Sequence, residues 1–134
     1  MINLIPGKKG TGKTKILVDA IKASAEKATG NVVCIERGMQ LTYDIPHKVR
    51  LVDTEEYGIN SFDAFYGFFA GMLAGNYDIQ DVYVDGILKI GGRDYDAFGD
   101  MIEKIGILAK NINVTFTVSA DPAELPAKVK AFIK

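Results

Sequence analysis

Short apolar runs alternate with amphipathic stretches along the chain, and that alternation alone predicts most of the elements. Residues 2–5, with Ile2, Leu4 and Ile5, read as a short strand that enters Pro6 and Gly7. Over 13–28, Ile16, Leu17, Ala20, Ile21 and Ser24 share one helical face, and Gly30 stands where the helix would stop. The runs 32–36 and 49–53 suit strands buried on both faces, joined by a polar connection, 38–47, that contains Pro46. Asn60 or Ser61 can cap a helix that carries Asp63 in its first turn and ends near Asn76. Another strand is expected at 81–85, and Gly86, Gly91 and Gly92 mark 86–92 as a loop. Asp94 then caps a helix whose Tyr95, Phe98, Ile102, Ile105 and Ala109 keep the 3.6-residue period. Val114, Phe116 and Val118 alternate with Thr115, Thr117 and Ser119 in a strand at 113–119 with one polar face. Asp121, Pro122 and Glu124 supply cap, first-turn proline and capping-box spacing for a last helix.

Strands and helices alternate without repeats or low-complexity tracts. That pattern predicts an α/β fold: a mostly parallel five-stranded sheet flanked by helices on both faces. The length, 134 residues, is that of one domain, 1–134. With 17 acidic and 16 basic side chains the formal charge is −1, so charge does not imply nucleic acid as a partner. Cys34, the single cysteine, sits in the apolar run 32–35 and reads as a buried, inert thiol. His47 is the single histidine, with no cysteine beside it, which disfavours zinc. The longest apolar stretch, 62–75, contains Asp63 and falls short of the roughly 18–20 residues that span a bilayer, so no membrane span is expected. The first residues lack a basic region and a long apolar stretch, which leads to the expectation of a cytoplasmic protein.

Residues 7–14 read GKKGTGKT, which is Gly, four residues, Gly, Lys and Thr, placed between a strand and a helix. Glycines at this spacing let successive backbone N–H groups turn toward phosphate oxygens, and the helix N-terminus adds its field. Lys13 brings a full charge to the β- and γ-phosphates, and is expected to face solvent from the loop. The Thr14 hydroxyl is a hard oxygen ligand for Mg²⁺. ATP with Mg²⁺ is therefore the expected ligand, with Gly7, Lys8, Lys9, Gly10, Thr11, Gly12, Lys13, Thr14 and Lys15 as the nucleotide-binding set. Lys8 and Lys9 are less specific, either solvated or adding charge around the γ-phosphate. Arg93, after Gly91 and Gly92, is either a surface charge or a finger toward a phosphate.

On this loop the sequence resembles the P-loop NTPase superfamily, most closely its RecA-like group. The resemblance implies an Asp at the end of a later strand that holds Mg²⁺ through water. Strands here end in Glu36, Asp53 and Asp85, and Asp85, at the end of 81–85, matches best. Thr14 and Asp85 are thus the implied metal residues, and Ser119 a candidate for sensing the γ-phosphate. RecA-like members carry the catalytic glutamate at the end of the strand after the P-loop helix, which makes Glu36 the implied water-activating base, with Lys13 beside it in catalysis. The implied strand order, edge to edge, is 49–53, 32–36, 81–85, 113–119 and 2–6. In that order 2–5 is an uncovered edge. Gly67, Gly71 and Gly75 form a smooth ridge on an otherwise aromatic helix, which suggests close packing of another backbone, on the protein's own sheet or at a subunit contact. Edge and ridge together predict a homo-oligomer. The function expected is a slow Mg-dependent ATPase, a hydrolase that serves as a switch or motor subunit. The alternatives are a nucleotide-binding regulatory or assembly protein without turnover and, disfavoured by scattered arginines and the lack of a lid, a small-molecule kinase.

Overall fold

Every apolar run expected to be a strand becomes one, and every strand pairs parallel to its neighbours. The computed structural model describes residues 1–133. In chain order the main elements are β1 (Ile2–Pro6), α1 (Lys13–Lys27), β2 (Asn31–Glu36), β3 (Arg50–Asp53), α2 (Phe62–Gly75), β4 (Ile79–Asp85), α3 (Ile87–Gly91), α4 (Tyr95–Leu108), β5 (Asn113–Val118) and α5 (Ala127–Lys130). The sheet order is β1-β5-β4-β2-β3, the order that the resemblance implies. Parallel neighbours need long crossovers, and α1, α2 and the α3–α4 pair supply three of them.

The pleat divides the core into two. Val33, Ile35, Val82, Val84 and Phe116 point to the face covered by α2 and α4, where Phe62, Phe65, Phe69, Phe98 and Ile102 pack over them. Phe98 meets Phe116 edge-on at 6.2 Å between ring centroids, and Phe62 stacks on Phe98 at 5.7 Å. Burying each such ring is worth roughly 1.5–3 kcal/mol. On the opposite face Val32, Cys34 and Tyr83 lie under Leu17, Val18, Ile21 and Ala25 of α1, with Leu41, Ile45 and Val49 of the β2–β3 connection completing the cluster. Alternate residues of one strand thus serve different cores. Asp81, a buried carboxylate on the α1 side of β4, accepts from Ser24 of α1 and, at 3.1 Å, from Asn113 of β5.

Helix starts match the expected caps. Ser61 accepts from the Ala64 N–H and Asp94 from the Ala97 N–H, each at 3.0 Å. Gly12 precedes α1 with φ 86°, a left-handed conformation that suits glycine.

Four expectations fail for physical reasons. The stretch 86–92 is not all loop: burial of Ile87, Leu88 and Ile90 draws it into the short helix α3, and a Cβ at Gly91 would collide with the ring of Phe62. The last helix does not run on from Asp121. A 3-10 turn at Pro122–Glu124 ends at an extended Leu125, because the residue before Pro126 is driven out of the helical region, and α5 starts afresh after that proline. The β1 edge is partly covered, since Leu4 pairs parallel with Ile133 and its N–H donates to the Phe132 carbonyl at 3.2 Å. Finally, of the two readings of Gly67, Gly71 and Gly75, packing on the protein's own sheet fails: they are exposed, with nothing beyond their own stretch of helix within 4 Å of where a Cβ would stand, while α2 turns its phenylalanines inward. No described helix is long and apolar enough to cross a membrane.

Candidate functional site

A cavity of about 580 Å³ opens where the carboxyl ends of β4 and β5 meet the start of α1. In parallel α/β sheets this is where ligands bind, because the strand ends and helix N-termini converge there. Three segments line it. The loop before α1 gives Lys9, Gly10 and Gly12, leading into Lys13 and Thr14 of α1 itself; the turn from β4 into α3 gives Asp85, Gly86, Leu88 and Lys89; β5 and the residue after it give Thr117 and Ser119, and Arg93, after α3, completes the lining.

The loop is tied down from within. The Gly7 N–H donates to the carbonyls of Val118 and Ala120, both at 3.1 Å, which fixes the loop's start to the end of β5. The Lys8 carbonyl accepts from the Thr11 N–H at 3.3 Å, the Thr11 hydroxyl at 2.7 Å and the Lys13 ammonium at 2.9 Å. Lys13, Thr14 and Lys15 form the first turn of α1, whose N–H groups have no intrahelical acceptor and no capping side chain. Such a turn is a set of donors around a point of partial positive charge.

Lys13 is buried, 8 % exposed, and does not face solvent as expected. Burial pushes its pKa below the ordinary lysine value; the charge of Asp85 opposes the shift and that of Lys89 adds to it. The ammonium remains cationic only at an energetic cost, which an anion beside it would relieve. Lys9, Lys13, Lys89 and Arg93 set four cations in this lining against a single carboxylate, Asp85. None of the five belongs to an ion pair within 4.0 Å among the described residues. On a chain of formal charge −1, that surplus is local.

Asp85 is positioned by a residue that no sequence motif marks. The Thr117 hydroxyl donates to Asp85 Oδ1 at 2.7 Å and accepts from the Gly86 N–H at 2.7 Å, buried at the junction of β4 and β5. The alternation of 113–119 distinguishes Thr117 only as one polar position among three. The Thr14 hydroxyl lies 3.4 Å from both carboxylate oxygens. One hydroxyl and one carboxylate are a hard oxygen pair. They fit Mg²⁺, which takes one or two protein oxygens and completes its shell with water and phosphate. Among the described residues no group of three or more His, Cys, Asp or Glu stands together as a metal site.

The remaining carboxylates lie in the same row but in other company. Glu36 is in register with Asp85 on one side and Asp53 on the other. It is 2 % exposed and outside the cavity lining, and its Oε2 accepts from the Leu41 N–H at 2.9 Å. Burial raises its pKa above the ordinary glutamate value, the Leu41 N–H pulls it back, and the charge of Asp85 raises it further. Asp53 Oδ1 accepts from the N–H groups of Gly38 at 2.7 Å and Glu55 at 2.9 Å, which makes it a tie between two loops. Lys8 and Lys15 are exposed, Lys8 standing 3.8 Å from Asp121 and Lys15 pairing with Asp19 at 3.1 Å. Neither they nor Gly7 and Thr11 line the cavity, whereas Ser119 does. The Arg93 guanidinium donates to the Ser119 carbonyl at 3.1 Å and to the Tyr95 hydroxyl at 3.4 Å.

Compared with protein-family models and with curated proteins, the chain matches none.

Proposed function

We propose that this chain binds a nucleoside triphosphate with Mg²⁺, ATP foremost, at the cavity between the 7–14 loop and the ends of β4 and β5, in the manner of the P-loop proteins its loop resembles. The observation that carries the reading is the charge imbalance of the lining. Four cations, one of them buried, stand around one carboxylate without an ion pair, beside the open N–H groups of a 15-residue helix. A polyphosphate supplies the missing negative charge and acceptors, and each charge-assisted hydrogen bond is worth roughly 1.5–3 kcal/mol. In this reading the loop N–H groups and Lys13 hold the phosphates, and Thr14 and Asp85 hold Mg²⁺, which neutralises phosphate charge.

Turnover is slow and the protein works as a switch or motor subunit. One observation favours a second reading, binding without turnover: the Glu36 carboxylate is engaged with the Leu41 N–H away from the cavity, so acting on water would require it to give up that bond. Homo-oligomer formation stays part of the proposal on the strength of the exposed glycine ridge of α2; the β1 edge no longer supports it. Calorimetric titration with ATP, in Mg²⁺ and then in EDTA, tests the proposal. Saturable binding that weakens without the metal is expected, and no binding in either condition would reject it.

A further inference from the structure

α3 is a short helix with three of its four leading side chains buried. Ile87, Leu88 and Ile90 are 0 %, 5 % and 3 % exposed, and Gly91 fits against the ring of Phe62. Lys89 is the exposed one, and it lines the cavity. Its stem folds back over the residue next to Asp85: its Cδ and Cγ lie 3.4 and 3.7 Å from where a Cβ on Gly86 would stand. The backbone at Lys89 is held in turn, since its carbonyl accepts from Arg37 Nη1 at 3.3 Å. Arg93, the other cation of the lining outside the 7–14 loop, already spends donors on Ser119 and Tyr95. Lys89 makes no ion pair within 4.0 Å and no side-chain hydrogen bond among the described residues, so its three donors are free.

We infer that Lys89 is a second lysine for the terminal phosphate, acting beside Lys13 from within the same chain and giving the site its preference for a triphosphate over a diphosphate. The inference rests on the nucleotide reading of the cavity. Thr14 and Asp85 mark the end of the cavity that would hold the metal and the terminal phosphates, and the Lys89 stem lies over Gly86, one residue from Asp85. A cation carried there gains an added negative charge from a triphosphate, whereas a diphosphate leaves it in water. Because the lysine comes in cis, the preference does not depend on a neighbouring subunit.

Titration of wild type, Lys89→Met and Lys89→Arg with Mg-ATP and with Mg-ADP tests this, because methionine keeps the stem over Gly86 and removes only the charge. Wild type should prefer ATP at every protein concentration. Lys89→Met should lose roughly tenfold in ATP affinity and less than about twofold in ADP affinity, with Lys89→Arg retaining the preference. A wild-type ratio of ATP to ADP affinity in Lys89→Met, or equal affinities in the wild type, would overturn the role of Lys89 and leave the nucleotide site standing. Binding of neither nucleotide by wild type would sink the site itself, and this inference with it.

Discussion

Asp85 and Glu36 end adjacent strands in register, on the same side of the sheet, yet one lines a cavity of cations and the other is buried against a loop. Strand position is common to both, so it cannot decide which carboxylate does chemistry. The difference comes from the path the chain takes on leaving each strand. After β4 the chain turns at Gly86 into α3, which leaves Asp85 beside the first turn of α1 and under the Thr117 hydroxyl. After β2 the chain folds back as far as Leu41, whose buried side chain joins the α1-side cluster and whose N–H reaches the Glu36 carboxylate. A carboxylate whose acceptors are taken by backbone is a structural tie, and one met by hydroxyls in an open cavity is free to meet a cation.

The largest effect should come from removing the cation that Asp85 faces. Lys13→Met is expected to weaken Mg-ATP binding at least about a hundredfold, since a full charge and its hydrogen bonds are lost together. Its ligand-free stability should also depend less on pH: the Lys13 pKa is lowered in the fold, so the stability tied to this group is complete only above its unfolded value and is lost as pH falls through the folded one, and an uncharged stem escapes that loss while giving up the bond to the Lys8 carbonyl at every pH. Thermal melts across pH with and without Mg-ATP check both parts: a flatter pH profile alone, and no rise with nucleotide.

Next comes the metal side of the contrast. Asp85→Asn should remove most of the gain in ATP affinity that Mg²⁺ brings over EDTA, an effect of roughly tenfold or more, because an amide carries no charge for the ion. Asp53→Asn should leave that gain intact and, because the amide keeps an oxygen for the Gly38 and Glu55 N–H groups but not its charge, cost at most about 1 kcal/mol. Paired titrations in Mg²⁺ and EDTA separate them, and the reverse pattern would move the metal to Asp53. Thr117→Val then asks how far Asp85 depends on its neighbour. With the hydroxyl gone, the buried Gly86 N–H loses its acceptor, at a cost of about 1–3 kcal/mol, and Asp85 loses its closest donor. Denaturant unfolding should show that loss and Thr117→Ser should restore it.

Much of this was legible in the sequence because it is local or periodic. Two-sided apolar runs gave the strands, the 3.6-residue rows the helices, and Ser61 and Asp94 their caps. The strand order came from a resemblance carried by eight residues, and the sheet has that order. The features that escaped depend on contacts between distant segments. Thr117 meets Asp85 across 32 positions, through the pairing of β4 with β5, and no spacing rule marks it. α3 was hidden by its flanking glycines, because four residues between breakers carry too little period to read. The cover of β1 by Ile133 and the burial of Glu36 likewise arise only when the chain closes on itself.

The smallest effect tests the other half of the contrast. The folded-state pKa of Glu36 is raised above its ordinary value of 4.5, chiefly by burial, so ionising it costs more in the fold than in the unfolded chain. Stability tied to this group is therefore fully present below about pH 4.5 and is lost as pH climbs through the raised value. Glutamine keeps an oxygen for the Leu41 N–H and cannot ionise. Glu36→Gln should thus gain on the wild type in unfolding free energy as pH rises from 4.5, with the gain levelling off once the wild-type carboxylate is fully charged. Mg-ATP affinity, and any turnover, should stay within about twofold, because the group neither lines the cavity nor meets its cations. Urea titrations across pH, beside rates at saturating ATP, decide it. A pH-independent difference would mean the carboxyl is not desolvated in the fold, and a turnover loss of about tenfold with intact binding would return Glu36 to the chemistry as the base that activates water.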